Sequence, residues 1–229
     1  MALTPSDILT RAADIIQDQT NVRWPQDELL RYLNDARREI AVVRPDLYAT
    51  TATVMLTNGG TKQSLPTDGI RLIDVVRNMP AGNPGKAIRI VEREILDAQK
   101  PGWHTETATA DLKHFMYDER SPRAFYVYPP ASANHQIEII YGQTPTDIAL
   151  ANISTTQLTQ EDVYTGAMVD YVCYRAFSKD SEYAGNAGRA QAHYQQFINS
   201  LGLGNKVQMT QSPNTVNVGG RPSRAVAAG

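Results

Sequence analysis

The residues that could do chemistry are few, and their spacing does not suit any familiar reaction. Gly82, Gly85 and Lys86 come nearest to a phosphate-binding loop, in which backbone N–H groups cradle phosphates and a lysine reaches over them. That chemistry needs four residues between the glycines and a Ser or Thr after the lysine. Here two intervene and Ala87 follows, so residues 81–86 read as a hairpin turn. The four histidines, His104, His114, His135 and His193, are never paired at i, i+4 and lack the glutamate of a zinc-protease helix, so they read as surface residues. No serine sits in a GxSxG elbow. The single cysteine, Cys173, lies among apolar neighbours, which suits a buried thiol and excludes both an internal disulfide and a multi-cysteine metal site. No catalytic residue, metal site or cofactor is expected.

Other polar residues sit where surfaces rather than reactions would use them. Asp170 and Arg175 are the only charges between Val163 and Phe177, the most apolar helical stretch of the chain. Either they reach solvent at a bundle edge, or they make a polar contact between subunits. Tyrosine outnumbers phenylalanine eleven to four, with Tyr164, Tyr171, Tyr174, Tyr183 and Tyr194 close together in the C-terminal half. A ring with a polar tip suits a partly wet interface, so Tyr164, Tyr171 and Tyr174 join Asp170 and Arg175 as interface candidates.

The elements that would carry these residues follow from periodicity. Thr4, Pro5 and Asp7 form a helix start, and Ile8, Leu9, Ala12, Ile15 and Ile16 make one apolar stripe. A second helix starts at Pro25, carries Leu29, Leu30, Leu33, Ala36, Ile40 and Val43, and ends at Arg44-Pro45. From Tyr48 onward β-branched residues and period-two alternation take over. Residues 50–57 and 61–65 around Asn58-Gly59-Gly60 predict a hairpin, and 70–78 with 87–92 a second strand pair. Residues 92–99 predict a short helix, and 103–112 a loop. Residues 115–117, 124–128 and 136–141 predict a last antiparallel group. Thr159 and Asp162 then cap a third long helix, 163–178. The fourth carries Tyr183, Ala187, Ala190, Tyr194, Phe197 and Leu201 on one stripe and stops at Gly202. Gly185 and Gly188 inside it predict a close approach to its backbone, since each costs about 1 kcal/mol relative to alanine.

The expected fold is therefore α+β. Two N-terminal and two C-terminal helices, residues 1–47 and 155–202, close as one four-helix bundle, because neither pair can bury its stripe alone. An antiparallel β-rich segment, 48–154, is inserted between them. The last 27 residues, 203–229, hold no Asp or Glu and cannot build a core, so they predict either an extended tail, with Val216, Val218, Arg221 and Arg224 as anchors on a partner, or a disordered, dispensable terminus. A formal charge of -2 argues against tight sequence-independent binding of nucleic acid. MALTPSDILTRAADII has no basic leader, and no run approaches the roughly 20 apolar residues of a membrane span, so neither secretion nor membrane insertion is expected.

Particular residues match this order of elements to a known family. TRAADIIQDQTNVRWPQDELLRYLNDARREIAVVRPD, then LPTDGIRLIDVVRN, AFYVYPP and IEIIYGQTP, with a closing helical pair, resemble the head-to-tail adaptor (connector) proteins of tailed phages, the short-tailed ones in particular. The resemblance spans residues 3 to about 201. Trp24-Pro25, Leu65-Pro66 before Asp68, and Tyr128-Pro129-Pro130 before the Ile-Glu-Ile-Ile strand carry it. It implies a non-enzymatic virion protein, assembled in the host cytoplasm. The implied assembly is a homo-oligomeric, dodecameric ring between the portal protein and a tail or nozzle protein, with double-stranded DNA passing through its lumen during ejection. Composition alone leaves open another tail-completion component, or a small hydrolase or ligand-binding domain.

Overall fold

A computed structural model describes residues 3–158, 161–180, 182–183 and 185–211, with 203–211 by their backbone only. The fold is α+β, with five helices and seven strands in two sheets among the described residues. The chain divides into two compact units. One takes the chain up to Ala36 and from Ile148 onward, and the other runs over Arg37–Asp147, so the division falls inside a helix.

In the helical unit, α1 (Pro5–Ile16) begins as its sequence demands. The Thr4 hydroxyl accepts from the Asp7 N–H, the Thr4 N–H donates to Asp7 Oδ2 at 2.8 Å, and Pro5 takes the first position. Its buried face is Pro5, Ile8, Leu9, Ala12, Ala13 and Ile16. Gln17 closes the helix in the left-handed region, and Asp18 then organises the connection. Its carboxylate accepts from the N–H groups of Val22, Arg23 and Trp24 at 3.0, 2.8 and 2.9 Å, and these bonds, Trp24's above all, hold its carboxyl below the usual range. The turn aims Trp24 inward, where its Nε1–H donates to the Ala176 carbonyl at 3.2 Å and its ring meets Phe177 edge-on.

Helix α2 (Gln26–Val43) buries Leu29, Leu30, Leu33 and Ala36. Asn34, also buried, exchanges two hydrogen bonds with the backbone of Ile148, at 3.1 and 3.0 Å, and so ties the returning chain to α2. Helix α4 (Thr165–Lys179) is the hub: α1 and α5 (Asn186–Gln211) both pack on it. A single 3-10 turn, Asp162–Tyr164, precedes α4, so Asp162 starts that turn rather than capping the helix, and Thr159 lies outside the described residues.

The last helix departs from expectation in three ways. Gly202 does not stop it: α5 continues through Gly202 and Gly204 to Gln211, so residues 203–211 are helical rather than extended. Two glycines at about 1 kcal/mol each do not outweigh the good helix formers Leu201, Leu203, Lys206, Gln208 and Met209, and the first proline comes only at position 213. Nor, among the described residues, does anything approach Gly185 or Gly188, each of which has open space where a Cβ would be. Gly185 precedes the helix at φ +90, which glycine alone adopts cheaply. Tyr183 likewise lies before α5, and Ala187 and Tyr194 are exposed, so the buried stripe is Asn186, Ala190, Phe197 and Leu201.

The second unit holds β1 (Ala49–Met55), β2 (Lys62–Ser64), β3 (Gly69–Asn78), β4 (Arg89–Ile90), α3 (Arg93–Gln99), β5 (His114–Tyr117), β6 (Ala124–Tyr128) and β7 (Gln136–Gln143). One sheet has the order β1-β7-β3, the other β2-β6-β5-β4, and every ladder is antiparallel except β4–β5. Alternation sorts the side chains. Phe115, Phe125 and Val127 meet Leu72, Val75, Ile137 and Ile139 of the other sheet in one core, while Met116, Tyr126 and Tyr128 point the opposite way under Leu96 and the fully buried Trp103.

The expected hairpin over 50–65 is not formed. The turn exists, with Gly59 at φ +68, but β1 and β2 leave it for different sheets. A three-residue β2 cannot satisfy a seven-residue β1, whereas β7 pairs with it one for one from Ala49↔Gly142 to Met55↔Gln136. The Gln63 side chain closes the turn instead, accepting from the Thr57 N–H and donating to the Gly60 carbonyl, both at 2.7 Å. The second expected pair is only a short link, an isolated bridge Arg77↔Ala87, and β4 takes its ladder from β5. In the last group β5 and β6 pair as expected, but β7 belongs to the other sheet.

The reading of all four histidines as surface residues is also corrected, because His135 is buried. Its Nε2 lies 2.9 Å from Asn78 Oδ1, which also accepts from the Leu112 N–H, so Nε2 carries the proton. Burial holds the His135 imidazole below its ordinary value, opposed by the smaller influence of Asp111. The native state therefore takes up a proton less readily than the unfolded chain. Stability is full above the unfolded value of about 6.5 and declines as pH falls from there through the depressed native value. His135→Gln keeps a donor for Asn78 and is expected to flatten the fall in urea midpoint between about pH 7 and 5. An unchanged slope would assign that fall to other groups.

Candidate functional site

The candidate surface is built on α4 and α5. Asp170, half-buried on α4, lies 2.8 Å from Nδ1 of His193 on α5, so its partner is within the chain. The same imidazole stacks on Phe177 at 5.8 Å, and the guanidinium of Arg189 lies over that Phe177 ring. Tyr171 is buried and meets Phe197 edge-on at 5.0 Å, while half-buried Tyr174 packs on Tyr194 at 4.8 Å and on Tyr171 at 5.7 Å. Tyr164 is buried in the turn before α4. Arg175 points toward α2, with its guanidinium 5.3 Å from the centre of the Tyr32 ring. Five of the predicted interface residues thus belong to the helical unit's own packing, and Asp170, Tyr174 and Arg175 remain half-exposed at its surface. Val216, Val218, Arg221 and Arg224 lie outside the described residues.

A second polar cluster, which sequence reasoning missed, ties α2 to the end of α4. Glu28 accepts from Tyr32 at 2.6 Å and from Lys179 at 2.7 Å, and those bonds, Lys179's first, hold its carboxyl below the usual range despite burial. Burial, followed by the hydrogen bond to Glu28, pushes the Tyr32 hydroxyl up to about 12. Arg23 pairs with Asp180 and lies over the rings of Trp24 and Tyr183. The i, i+4 spacing of Glu28 and Tyr32 was legible; the lysine 151 positions away was not.

What these surfaces offer is shape and polarity rather than bond-making. Burial pushes the Cys173 thiol up to about 12, far from the accessible thiolate a nucleophile requires. Lys86 pairs with Asp111 at 2.6 Å, and a Cβ at Gly85 would meet Pro80 at 2.8 Å, so that turn is packed on itself. A cavity of about 500 Å³ beside α3 and β5 is lined by Glu92, Arg93, Asp118, Glu119, Arg120 and Tyr126, with Arg120 paired to Asp118 and Arg93 to Asp97 within the chain. Among the described residues no group of three His, Cys, Asp or Glu could hold a metal ion, and no helix is long and apolar enough to cross a membrane.

The exposed apolar side chains of the helical unit are the remaining feature. Tyr194 and Ile198 on α5 are 43% and 42% exposed, and Ile15 on α1 is also uncovered. Residues left half-bare at helical spacing beside buried Phe197 and Leu201 suit contact with another macromolecule better than contact with water. No curated protein matches the chain. The SU10 adaptor protein family matches it over residues 3–219, a span that takes in both the helical and the β-rich unit. On the extent of that match, the chain belongs to the SU10 adaptor protein family and is a phage head-tail adaptor.

Proposed function

We propose that this virion protein works as a ring, dodecameric by the resemblance stated above, seated between the portal and a tail or nozzle protein of a short-tailed phage and assembled in the host cytoplasm. The observation that carries the reading is the family match over residues 3–219. In this reading α1, α2, α4 and α5 close as a four-helix bundle that forms the ring wall. Asp170, Arg175, Tyr164, Tyr171 and Tyr174 shape its contact faces, and the β-rich unit serves as a docking platform. The anchors Val216, Val218, Arg221 and Arg224 bind a neighbouring subunit or the portal.

A conduit should guide duplex DNA without holding it, because each neutralised phosphate adds salt-dependent affinity. The formal charge of -2 supports that role. Class averages of the purified protein, alone and with portal, are expected to show closed rings. Duplex DNA passed over the assembled ring is expected to elute without retention from about 50 to 200 mM salt. Fibres in place of rings, or slow salt-sensitive retention of DNA, would overturn the conduit reading.

A further inference from the structure

The edges of the two sheets are not equally protected. β3 is broken by three register shifts and carries Arg71, Asp74 and Arg77, while β2 and β4 are only three and two residues long. These are the usual ways of blunting an edge. β1 has none of them. Its sequence, ATTATVM, holds no charge and no proline, and it pairs with β7 through seven residues without a shift. Among the described residues, positions 50–55 make no backbone hydrogen bond outside that ladder. Ala52 and Val54 pack on the β core, while Thr51, Thr53 and Met55 are exposed, Met55 at 62%. A long, regular, uncharged edge is a template for one more strand.

The chain itself carries a sequence of matching pattern beyond the described residues. Asn214-Thr215-Val216-Asn217-Val218 is rich in β-branched residues and is bounded by Pro213 and by Gly219-Gly220. Alternation places Val216 and Val218 on one face and Thr215 and Asn217 on the other. Laid along β1, the valines fall beside Ala52 and Val54, and the hydroxyl and amide groups beside Thr51 and Thr53. The seven residues from 212 to 218 reach about 25 Å past the end of α5 when extended. Every copy holds one such segment and one such edge, so a head-to-tail contact uses all of both once the ring closes.

We propose that residues 214–218 of one copy add as a strand to β1 of a second copy. The inference rests on the self-assembly part of the proposed function and adds to it the segment and the edge that meet. The test uses the full chain with one cysteine on the edge, Thr51→Cys or Thr53→Cys, and one in the tail, Thr215→Cys or Asn217→Cys. The four combinations cover neighbouring registers, and the native Cys173 is buried out of reach. Under mild oxidation at least one combination is expected to give covalent multimers on a non-reducing gel. Mixing the two corresponding single variants should stop at a dimer. Adding Val216→Asp and Val218→Asp should reduce the multimers at least tenfold.

No multimers in any combination, or only a cross-link within one chain, overturns the proposal. Particle images of the same samples separate the two readings. Rings without cross-links overturn strand addition and leave the ring standing, cross-linked chains without rings support strand addition and overturn the closed ring, and the absence of both overturns both.

Discussion

Trp24→Ala is expected to destabilise the helical unit by about 3–5 kcal/mol, the usual cost of deleting a large buried aromatic side chain. Trp24 is 4% exposed, packs edge-on against Phe177, and satisfies the Ala176 carbonyl on α4. Removing it leaves a cavity between the start of α2 and the end of α4, and it frees the carbonyl to find another donor. The two tryptophans sit in different units, Trp24 in the helical one and Trp103 in the β-rich one, which makes the measurement clean. In the variant, Trp103 fluorescence reports the β unit alone while circular dichroism at 222 nm follows the helices. The helical urea midpoint should fall and the fluorescence midpoint should stay. A loss below about 1 kcal/mol would mean that the site collapses around the missing ring and that Trp24 is not a keystone of the packing.

Asn78→Ala is expected to cost the β unit a similar amount, about 3–5 kcal/mol, for a different reason. Its amide, 2% exposed, donates to the carbonyls of Lys86 and Leu112, and its oxygen accepts from the Leu112 N–H and His135, all at 2.9 Å. Alanine removes one side chain and orphans several buried backbone groups, each costing about 1–3 kcal/mol when left unsatisfied. Lys86→Ala, which removes only the exposed ion pair with Asp111, should stay within about 0.5 kcal/mol of the parent. Denaturation followed by Trp103 fluorescence in a Trp24→Phe background ranks the two. Equal effects would mean that water takes over Asn78's bonds.

How much of the candidate surface could be read beforehand depends on the range of each interaction. The clustering of Tyr171 and Tyr174 follows from helical spacing, and their rings with polar tips suited a partly wet surface. Their partners on α5, Tyr194 and Phe197, were on the expected stripe, but which of those residues would be covered depended on the angle at which α5 crosses α4. The partner of Asp170 was unreadable for the same reason: His193 is 23 positions away and nothing local marks it. Met55 was an ordinary strand residue until the sheet order placed β1 at an edge.

Local chemistry by itself determined the helices and their starts. The Thr4–Asp7 box and the 3.6-residue stripes act within a few residues, so α1, α2 and α4 were legible with small errors at their ends. The change to β structure after Tyr48 was equally local, as was the turn at Asn58-Gly59. Only the tertiary structure decided which strands pair. β1 finds β7 some 80 residues downstream, which gives it a full, unbroken ladder, while the Asn-Gly turn specifies a reversal and not a partner. It also decided where the units divide. Arg37 and Arg38, midway along α2, bond to the Thr146 carbonyl at 2.7 Å and to Asp147 at 2.5 Å, which draws the second half of a continuous helix into the β-rich unit. Periodicity cannot register such a division, since a helix keeps its 3.6-residue repeat whichever core its successive turns join.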